Sequence, residues 1–305
     1  MAWFKSKAKN PGYAALAVVP GGVAALRLAP VLSLAATATP VVAAYAWHEN
    51  APSLQASVLS QIAQEIGARE ARLICLLDIE HYQTVVVDAP SVADEELRAA
   101  LRWKVKELIN FHIDDAVIDH LPLPGGGGRP PSLYIVAAQA PAVRALAQAC
   151  QTADLPLEVI DVRETAQHHI GMRLAPADYA VAVLHIEGDQ GLLTFSFGDD
   201  LILSRRIDGR GASGDFLYDR VALEVQRSVD YFERQHSWFP LAKLHVAPQA
   251  DAQVLRNKLV EYLPVGVELI DLASLFNLSA VPALSDPLQQ NRAFHLLGAA
   301  LRDAA

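Results

Sequence analysis

Apolar positions in the second half of the chain fall first at strand spacing and then at helix spacing. Three apolar or alternating runs, at 180–186, 192–197 and 201–205, are separated by short turns rich in glycine and acidic residues. This pattern predicts a meander of three strands. A glycine-rich loop over 209–214 leads into a segment, 216–233, in which apolar residues recur three or four positions apart. The second pattern predicts a long amphipathic helix.

The beginning of the chain has the pattern of a tight β-hairpin. Two apolar runs, 14–19 and 23–28, flank Pro20, Gly21 and Gly22, which favour a turn. The same reasoning predicts helices at 54–66, 91–109, 141–152, 164–173, 252–263 and 294–302, and strands at 72–79, 84–88, 133–138, 157–162, 243–247 and 267–271. Strands that alternate with helices in this way are typical of an α/β fold.

The composition describes a globular protein with room for two cores. Of the 305 residues, 52% are hydrophobic and 19% are charged, which is too apolar a mixture for a disordered chain. A chain of this length can form two lobes, each with its own core. The 25 basic and 34 acidic residues give a net charge of -9, with no basic run beyond the first few residues. A nucleic-acid-binding role is therefore disfavoured.

One uncharged stretch raises the question of a membrane span. Residues 28–47 carry no charge, but Pro30, Pro40 and a high alanine content interrupt the stretch. Buried strands joined by turns are therefore preferred over a transmembrane helix. The residues before Pro11 also lack an apolar core of signal-peptide length. We expect a cytoplasmic protein without direct membrane insertion, which reaches a membrane only through a partner.

Residues that commonly carry chemistry are scattered. Cys75 lies in a strand-like run and Cys150 near a predicted helix end, far apart and without CxxC spacing, which favours free thiols in a reducing compartment. His168 and His169 would project about 100° apart on a helix, so they cannot share a metal as an i, i+4 pair could. The glycine run at 125–128 lacks the Lys-Ser/Thr of a P-loop. We predict neither a metal site nor a P-loop.

Several strings of the chain resemble one family of actin-like proteins. The segment from Leu201 through the glycine-rich loop, the strings LEVQRSVDYFERQ and LAKLHVAP, and the tail FHLLGAALR are similar to PilM, the cytoplasmic actin-like protein of type IV pilus machines. The chain resembles MshI, the PilM-like member of the mannose-sensitive haemagglutinin (MSHA) pilus system, more closely still. The resemblance spans nearly the whole chain, although its motifs are diffuse apolar patterns. It implies an α/β, actin-like (ASKHA), two-lobed ATPase fold.

The resemblance also implies a division into domains. Residues 1–51 and 124–163 would form the first actin-like lobe. Residues 164–305 would form the second, with the C-terminal helix returning to the first lobe. Residues 52–123, with DEELRAALRWKVKELINFHIDD as their strongest string, resemble the small inserted α+β subdomain of PilM and of its cell-division relative FtsA.

Active actin-like ATPases hold nucleotide with three elements, and two of them depart plainly from the family pattern here. The first turn keeps Gly21 and Gly22, but no acidic residue stands between positions 9 and 49 to hold magnesium. The glycine pair that lies against adenosine in active relatives is replaced by Ala-Pro-Gln-Ala at 247–250. Proline removes an amide and alanine adds a Cβ where close approach is needed.

The second turn departs from the pattern as well. His185 stands where a magnesium-shell aspartate is expected, and Glu187 or Asp189 could substitute only in a shifted register. Gly188 and Gly191 keep the turn. We therefore expect a degenerate nucleotide site with no catalytic residues and no ATP or magnesium as cofactor. Weak nucleotide binding is the alternative.

A tryptophan on a predicted helix suggests a contact surface. The helix at 91–109 carries an apolar stripe, and Trp103 projects on roughly the opposite side. The alternative is that Trp103 packs against a neighbouring lobe. The resemblance adds a direction, because PilM grips a short cytoplasmic N-terminal peptide of the bitopic membrane protein PilN in a cleft between its main lobe and inserted subdomain. Trp103 and Phe111 are our partner-binding candidates near such a cleft.

The preferred hypothesis is an adaptor, a pseudo-ATPase of the inner-membrane assembly platform of an MSHA-like type IV pilus. It would hold the cytoplasmic tail of a PilN-like protein, contact other platform proteins and convey the state of the assembly ATPase through its lobe geometry. One alternative is an active ATPase of the same machinery that uses Glu187 or Asp189. Another is a GspL-like type II secretion component, which we disfavour because that family continues into a membrane helix and none precedes Ala305.

Overall fold

The computed structural model describes residues 12–30, 39–50, 55–124, 131–212 and 214–302. Its strands are Tyr13–Val19 (β1), Gly22–Leu28 (β2), Val42–Glu49 (β3), Arg72–Leu76 (β4), Tyr82–Asp88 (β5), Ala116–Leu123 (β6), Ser132–Gln139 (β7), Leu157–Asp161 (β8), Ala180–Glu187 (β9), Gln190–Phe197 (β10), Asp200–Asp208 (β11), Leu241–Val246 (β12) and Gly266–Leu269 (β13). Its α-helices are Ala56–Ile66 (α1), Asp94–Val105 (α2), Ala140–Thr152 (α3), Arg163–Leu174 (α4), Asp215–Gln235 (α5), Ala252–Tyr262 (α6), Leu272–Leu275 (α7) and Pro287–Ala300 (α8). The glycine run at 125–128 lies outside the described residues.

A five-stranded sheet in the order β3-β2-β1-β4-β8 forms the first lobe. β1, β2 and β3 pair antiparallel, as the predicted hairpin requires, and β4 and β8 join in parallel. Side chains alternate across the sheet. Leu16 of β1 thus lies in one core with Leu59 of α1, whereas Ala15 lies in another core with Leu297 of α8. The lobe is therefore covered by helices on both faces.

The second lobe repeats this arrangement. Its sheet has the order β11-β10-β9-β12-β13, with three antiparallel strands followed by two parallel ones. The predicted meander and the predicted long helix are both confirmed. α5 covers one face, where the rings of Phe195 and Phe232 stack with centroids 4.4 Å apart. Two similar sheets in one chain are what a two-lobed, actin-like architecture requires.

The small subdomain is a three-stranded antiparallel sheet in the order β5-β7-β6, with α2 on one face. The division predicted at 52–123 is therefore wrong at both ends. β4 pairs with β1 in the first lobe, and α1 packs on that lobe, whereas β7, assigned to the lobe, pairs with β5. Hydrogen-bond pairing between strands decides which sheet a strand joins, and the pattern of apolar residues along one strand does not identify its pairing partner. The sequence analysis also missed β6, an edge strand that tolerates Pro122.

Two helices, α4 and α8, pack together between the lobes. A Cβ on Gly298 of α8 would lie only 1.9 Å from the carbonyl oxygen of Ala166 in α4, so the helices approach closely. α8 also packs against β1 and β2, so the C-terminal helix returns to the first lobe as expected. It begins at Pro287 rather than at 294, because Asp286 caps its first turn by accepting a hydrogen bond from the backbone of Leu288.

The uncharged stretch at 28–47 ends in a strand. β3 begins at Val42, and residues 31–38 of the stretch lie outside the described residues. Within the part of the chain that the structure describes, no helix has the length and apolarity needed to cross a bilayer. α2 stops at Val105 instead of the predicted 109, and Leu108 is half exposed beyond its end.

Candidate functional site

The β1–β2 turn carries the first pair of predicted nucleotide-site glycines. Gly21 has a left-handed φ of +87°, which glycine adopts without strain. A Cβ on Gly22 would lie 2.0 Å from the carbonyl oxygen of His48, so this glycine lets β2 run close to β3. The ring of Trp47 lies beside both glycines and under the guanidinium of Arg292 from α8, 4.0 Å from its centroid. Packing inside the protein therefore accounts for both glycines.

His185 lies at the position where the resemblance expects an aspartate. It is 2% exposed, and its ring stacks on Phe294 of α8 with centroids 5.0 Å apart. Burial lowers the pKa of His185 to about 3, so the imidazole is neutral. Its Nε2 lies 3.2 Å from the backbone oxygen of Asn291, to which the neutral ring donates. A ring enclosed in this way cannot reach a hydrated ion in the cleft.

Glu187, the first possible substitute acid, forms an ion pair. Its carboxylate accepts a hydrogen bond from Nη1 of Arg163, and the two side chains are only 9% and 12% exposed. Burial raises the pKa of Glu187. Burial opposes the charge on Arg163 as well, but Glu187, Tyr82 and Asp78 together outweigh it and raise the pKa of the guanidinium. Since each group neutralises the other away from water, Glu187 holds α4 to β9.

The remaining residues of the second turn have roles in backbone conformation, close packing and backbone hydrogen bonding. Gly188 has a φ of +63°, and a Cβ on Gly191 would lie 2.8 Å from Cδ1 of Ile186. The backbone oxygen of Asp189, the second possible substitute acid, accepts a hydrogen bond of 2.7 Å from the amide of Gly209. The turn is thus tied to the glycine-rich loop that precedes α5.

The segment at 247–250 meets the second turn through α8. Nδ2 of Asn291 donates to the backbone oxygen of Ile186 at 3.0 Å and to that of Pro248 at 2.8 Å. Asn291 is 9% exposed, and Arg292 next to it covers Trp47 beside the first turn. The structure therefore brings the three predicted nucleotide segments together, with the first half of α8 joining them.

A polar cluster around the buried carboxylate of Glu164, which sequence reasoning missed, joins the subdomain to α4 and to the second lobe. Tyr82 donates to Oε2 of Glu164 at 2.6 Å, and Arg206 donates to Oε1 from Nε and Nη2 at 3.1 and 3.0 Å. Arg206 also lies over the Tyr82 ring, 4.5 Å from its centroid. Burial, followed by the Glu164 carboxylate, raises the pKa of Tyr82 far above its usual range. One visible signal was the Arg205-Arg206 pair at the end of an otherwise apolar strand.

A groove of about 420 Å³ opens between the first lobe and the segment that leads into the subdomain. Its walls come from the ends of β1 and β4, the start of α1, and α3. Most of the side chains are apolar, and the polar ones are few. They are Val18, Gln55, Leu76, Leu77, Asp78, His81, Ala142, Ala145, Leu146 and Ala149. This arrangement can hold a short apolar segment next to a carboxylate.

The two cysteines lie together behind this groove. Cys75 of β4 and Cys150 of α3 are both fully buried, with their Sγ atoms 3.8 Å apart. Each is the chain neighbour of a groove residue, Leu76 and Ala149 respectively. Both are free thiols, as predicted, but their separation in sequence hid their contact. The hydrogen bond with Cys150, together with burial, raises the pKa of Cys75, which keeps it protonated.

Neither aromatic partner-binding candidate lines the groove. Trp103 is 71% exposed on the outer side of α2, with Nζ of Lys106 5.6 Å from its ring centroid. Phe111 borders a separate depression of about 460 Å³ together with Ile109 and Ile113. Trp103 thus points outward as predicted, but α2 packs on the face of the three-stranded sheet that carries Ile135, Ala137 and Val87. Tyr82, at the groove side, lies on the other face.

The paired histidines have structural partners. Nδ1 of His168 lies 2.8 Å from Oγ of Ser196, and Nδ1 of His169 lies 3.1 Å from the backbone oxygen of Gly298. Burial, followed by the charge on His169, lowers the pKa of His168 to about 4. Among the described residues, no group of three or more His, Cys, Asp or Glu side chains is placed to hold a metal ion.

Comparison with protein-family models gives no match, and no curated protein matches either. Solved structures do match. The chain is 20% identical to a chain of the PilM-PilN type IV pilus biogenesis complex, over 96% of this chain and 99% of that one, with a TM-score of 0.73. It is 14% identical to the cytoplasmic domain of EpsL, an inner membrane component of the type II secretion system of Vibrio cholerae, over 90% and 95%, with a TM-score of 0.54.

A third similar structure is a Bacteroides thetaiotaomicron protein with an actin-like ATPase fold and unknown function. It is 10% identical over 93% of this chain and 100% of that one, with a TM-score of 0.52. Identities this low establish the fold alone. The predicted α/β, two-lobed, actin-like fold is confirmed.

Proposed function

We propose that this chain is a cytoplasmic adaptor of the PilM type, which binds a short cytoplasmic segment of a PilN-like membrane protein in the groove. The observation that carries the proposal is the open, mainly apolar groove of about 420 Å³ between the first lobe and the segment that leads into the subdomain. The kind of partner is supported by the similar structure with a TM-score of 0.73, which is a complex of PilM with PilN.

The groove walls suit an extended peptide. Ala142, Ala145 and Ala149 recur three and four positions apart on α3, so small side chains leave space for a peptide backbone to lie close. Leu76 and Leu146, which are 3% and 7% exposed, give the groove an apolar floor that a peptide side chain can contact. Apolar burial supplies most of the affinity at such a site, and a few polar groups fix the register.

The proposal includes a nucleotide site that does not turn over ATP. His185 is enclosed beneath α8, and Glu187 is paired with Arg163, so neither presents an acid to magnesium. The segment at 247–250 is held to α8 by Asn291. Such a protein would convey the state of the machine through the positions of its lobes and subdomain.

We assign the adaptor to the cytoplasmic face of the inner membrane, in the assembly platform of an MSHA-like type IV pilus. Contacts with other platform proteins belong to the same assignment. The MSHA setting rests on the strings that resemble MshI. A GspL-like role in type II secretion is disfavoured because the EpsL cytoplasmic domain gives a TM-score of 0.54, below the 0.73 of the PilM-PilN complex.

Isothermal titration with a peptide from the cytoplasmic N-terminus of the neighbouring PilN-like protein tests the groove. We expect saturable binding that Ala145→Trp removes, because the indole fills the space of the peptide. Ala145 is exposed, so this change leaves the core intact. Ala99→Trp on the exposed side of α2 is the matched control and should bind normally. Binding that survives Ala145→Trp would place the peptide elsewhere and contradict the proposal.

A second titration, with Mg-ATP, tests the nucleotide site separately. We expect no binding signal up to millimolar concentration. Micromolar binding, or turnover abolished by Glu187→Ala or Asp189→Ala, would favour the active ATPase instead. Because the peptide titration is carried out without nucleotide, the two experiments are independent. Peptide binding in the groove and the absence of nucleotide binding can each be contradicted without affecting the other.

A further inference from the structure

The outward face of α5 carries a regular stripe of large apolar and cationic side chains. Phe216, Leu223 and Tyr231 are 80%, 39% and 41% exposed. Exposed arginines alternate with them, so that the order along the helix is Phe216, Arg220, Leu223, Arg227, Tyr231, Arg234. At about 100° per residue, all six lie within roughly 80° of the helix circumference. They form one narrow face, called here the α5 stripe.

The fold does not need this stripe. The opposite side of α5 already packs on the meander through Val221, Val225, Val229 and Phe232, which are 0% or 1% exposed. A single exposed apolar residue is ordinary on a protein surface. Three of them at helical spacing, alternating with arginine, have the composition of a protein contact, in which Phe, Tyr and Arg are enriched.

The charge of the helix argues against a bilayer as the occupant. α5 contains five acidic and three basic residues. Arg227 is paired within the helix with Glu224 at 2.5 Å. A surface that attracts anionic lipid is instead dominated by Lys and Arg. The occupant should therefore offer both apolar groups and groups that match arginine.

A second copy of the same helix meets this requirement when it runs antiparallel. In an antiparallel pair of α5 helices, Phe216 of one copy lies opposite Arg234 of the other. In the same way, Leu223 lies opposite the second copy's Arg227, and Arg220 lies opposite its Tyr231. The midpoint of each pair, counted along the helix, falls at residue 225 or within about half a residue of it, as one twofold axis requires. Each apolar residue therefore meets an arginine, and each contact occurs twice about a twofold axis.

The chemistry of these pairs already occurs within the chain. The guanidinium of Arg205 lies over one face of the Tyr231 ring, 4.6 Å from its centroid. The remaining face of Tyr231 and the exposed ring of Phe216 can take Arg220 and Arg234 of the second copy in the same way. The aliphatic stem of Arg227 packs on an apolar neighbour such as Leu223.

We propose that the α5 stripe is a self-recognition surface, through which two copies of this chain associate antiparallel about a twofold axis near Val225. The contact is a single pair of helices and is smaller than a standard protein interface. The dimer should therefore be weak and form only at high local concentration. The proposal is independent of the peptide groove and of the nucleotide site.

Sedimentation velocity of the full chain over a range of concentrations tests the association. We expect a concentration-dependent dimer that the double variant Phe216→Ala with Leu223→Ala weakens by roughly tenfold or more. Leu288→Ala, which truncates a 48% exposed side chain of α8, is the control and should dimerise normally. A wild-type chain that stays monomeric at its highest soluble concentration overturns the proposal.

Cysteine cross-linking tests the antiparallel register. Under mild oxidation, Phe216→Cys combined with Arg234→Cys should give a covalent dimer, and neither single variant should. Cross-linking by Phe216→Cys alone would mean parallel packing and contradict the proposal. Binding of a monomeric chain to phosphatidylglycerol vesicles, lost in Phe216→Ala, would assign the stripe to a bilayer and likewise overturn it.

Discussion

The cleft between the lobes and the groove beside the subdomain differ in what fills them. In the inter-lobe cleft, α8 supplies the partners, since Asn291 holds two backbone carbonyls and Phe294 stacks on His185. In the groove, α3 presents alanines and leaves about 420 Å³ open. The chain itself fills the cleft, whereas the groove stays open to solvent.

This difference has an energetic meaning. Polar groups of the closed cleft are satisfied within the chain, so their interactions contribute to folding. The apolar surface of the open groove stays in contact with water until something covers it, so its burial contributes to binding. Changes in the first region should therefore lower stability, and changes in the second should lower affinity.

Acidification should have the largest effect, because it charges histidines that the folded chain encloses in the cleft and along α4. The pKa values of His185 and His168 are about 3 and about 4, and burial also holds that of His295 well below its usual range. The unfolded chain binds these protons below pH 6.5 and the folded chain does not, so stability is present above that pH and falls as the pH falls. From pH 7 to 5 the loss is about 2 kcal/mol for each of His185 and His168.

Urea unfolding at several pH values between 7 and 5 measures this slope. His168→Gln, which can still hydrogen-bond Ser196, should lose its share and unfold with a shallower pH dependence. His112→Gln, at a side chain that is 72% exposed, is the control and should leave the slope unchanged. A stability that does not vary from pH 7 to 5 would mean that these rings are not buried in the neutral form.

Removing the carboxylate that joins the subdomain to the lobes should have the next largest effect. Glu164→Leu leaves Arg206 without its charge partner and Tyr82 without its acceptor. We expect a loss of about 3 kcal/mol in the free energy of unfolding. Arg227→Ala, which breaks an exposed ion pair, should cost less than about 0.5 kcal/mol. Equal losses in the two variants would show that the cluster around Glu164 contributes no more stability than an exposed ion pair.

A smaller loss is expected where α8 closes the cleft. Asn291→Leu removes the donor to the carbonyl oxygens of Ile186 and Pro248 and leaves both buried without that partner. The expected cost is about 2 kcal/mol. Peptide affinity at the groove should stay unchanged, and a parallel loss of affinity would show that the two sites are coupled.

The smallest effect is expected at Trp103. Because this side chain is 71% exposed and lies outside the groove, Trp103→Ala should change stability by less than about 0.5 kcal/mol and leave peptide affinity unaltered. Titration of the Trp103→Ala variant with the PilN-like peptide measures whether Trp103 contributes to peptide affinity. A loss of affinity would restore Trp103 as part of the partner site.

Local pattern was enough to predict much of the fold. We could predict three parts of the fold from local periodicity: the hairpin around Gly21, the meander over 180–205 and the helix α5. A repeat of two or of 3.6 residues can be recognised within a single segment, without knowing what that segment packs against. The residues at 185 and 247–250 that led us to predict a degenerate nucleotide site could also be identified from the sequence. Their physical setting could not.

Tertiary structure decided everything that needs two distant segments to meet. β4 was predicted in the subdomain and β7 in the first lobe, and the structure reverses both assignments because strand edges decide the pairing. The groove likewise depends on where α3 crosses the end of β4. The contact of Cys75 with Cys150 and the ion pair of Glu187 with Arg163 join positions that share no local pattern. The sequence by itself determined the periodic elements, and long-range packing determined which polar residues were enclosed and which apolar surface stayed open.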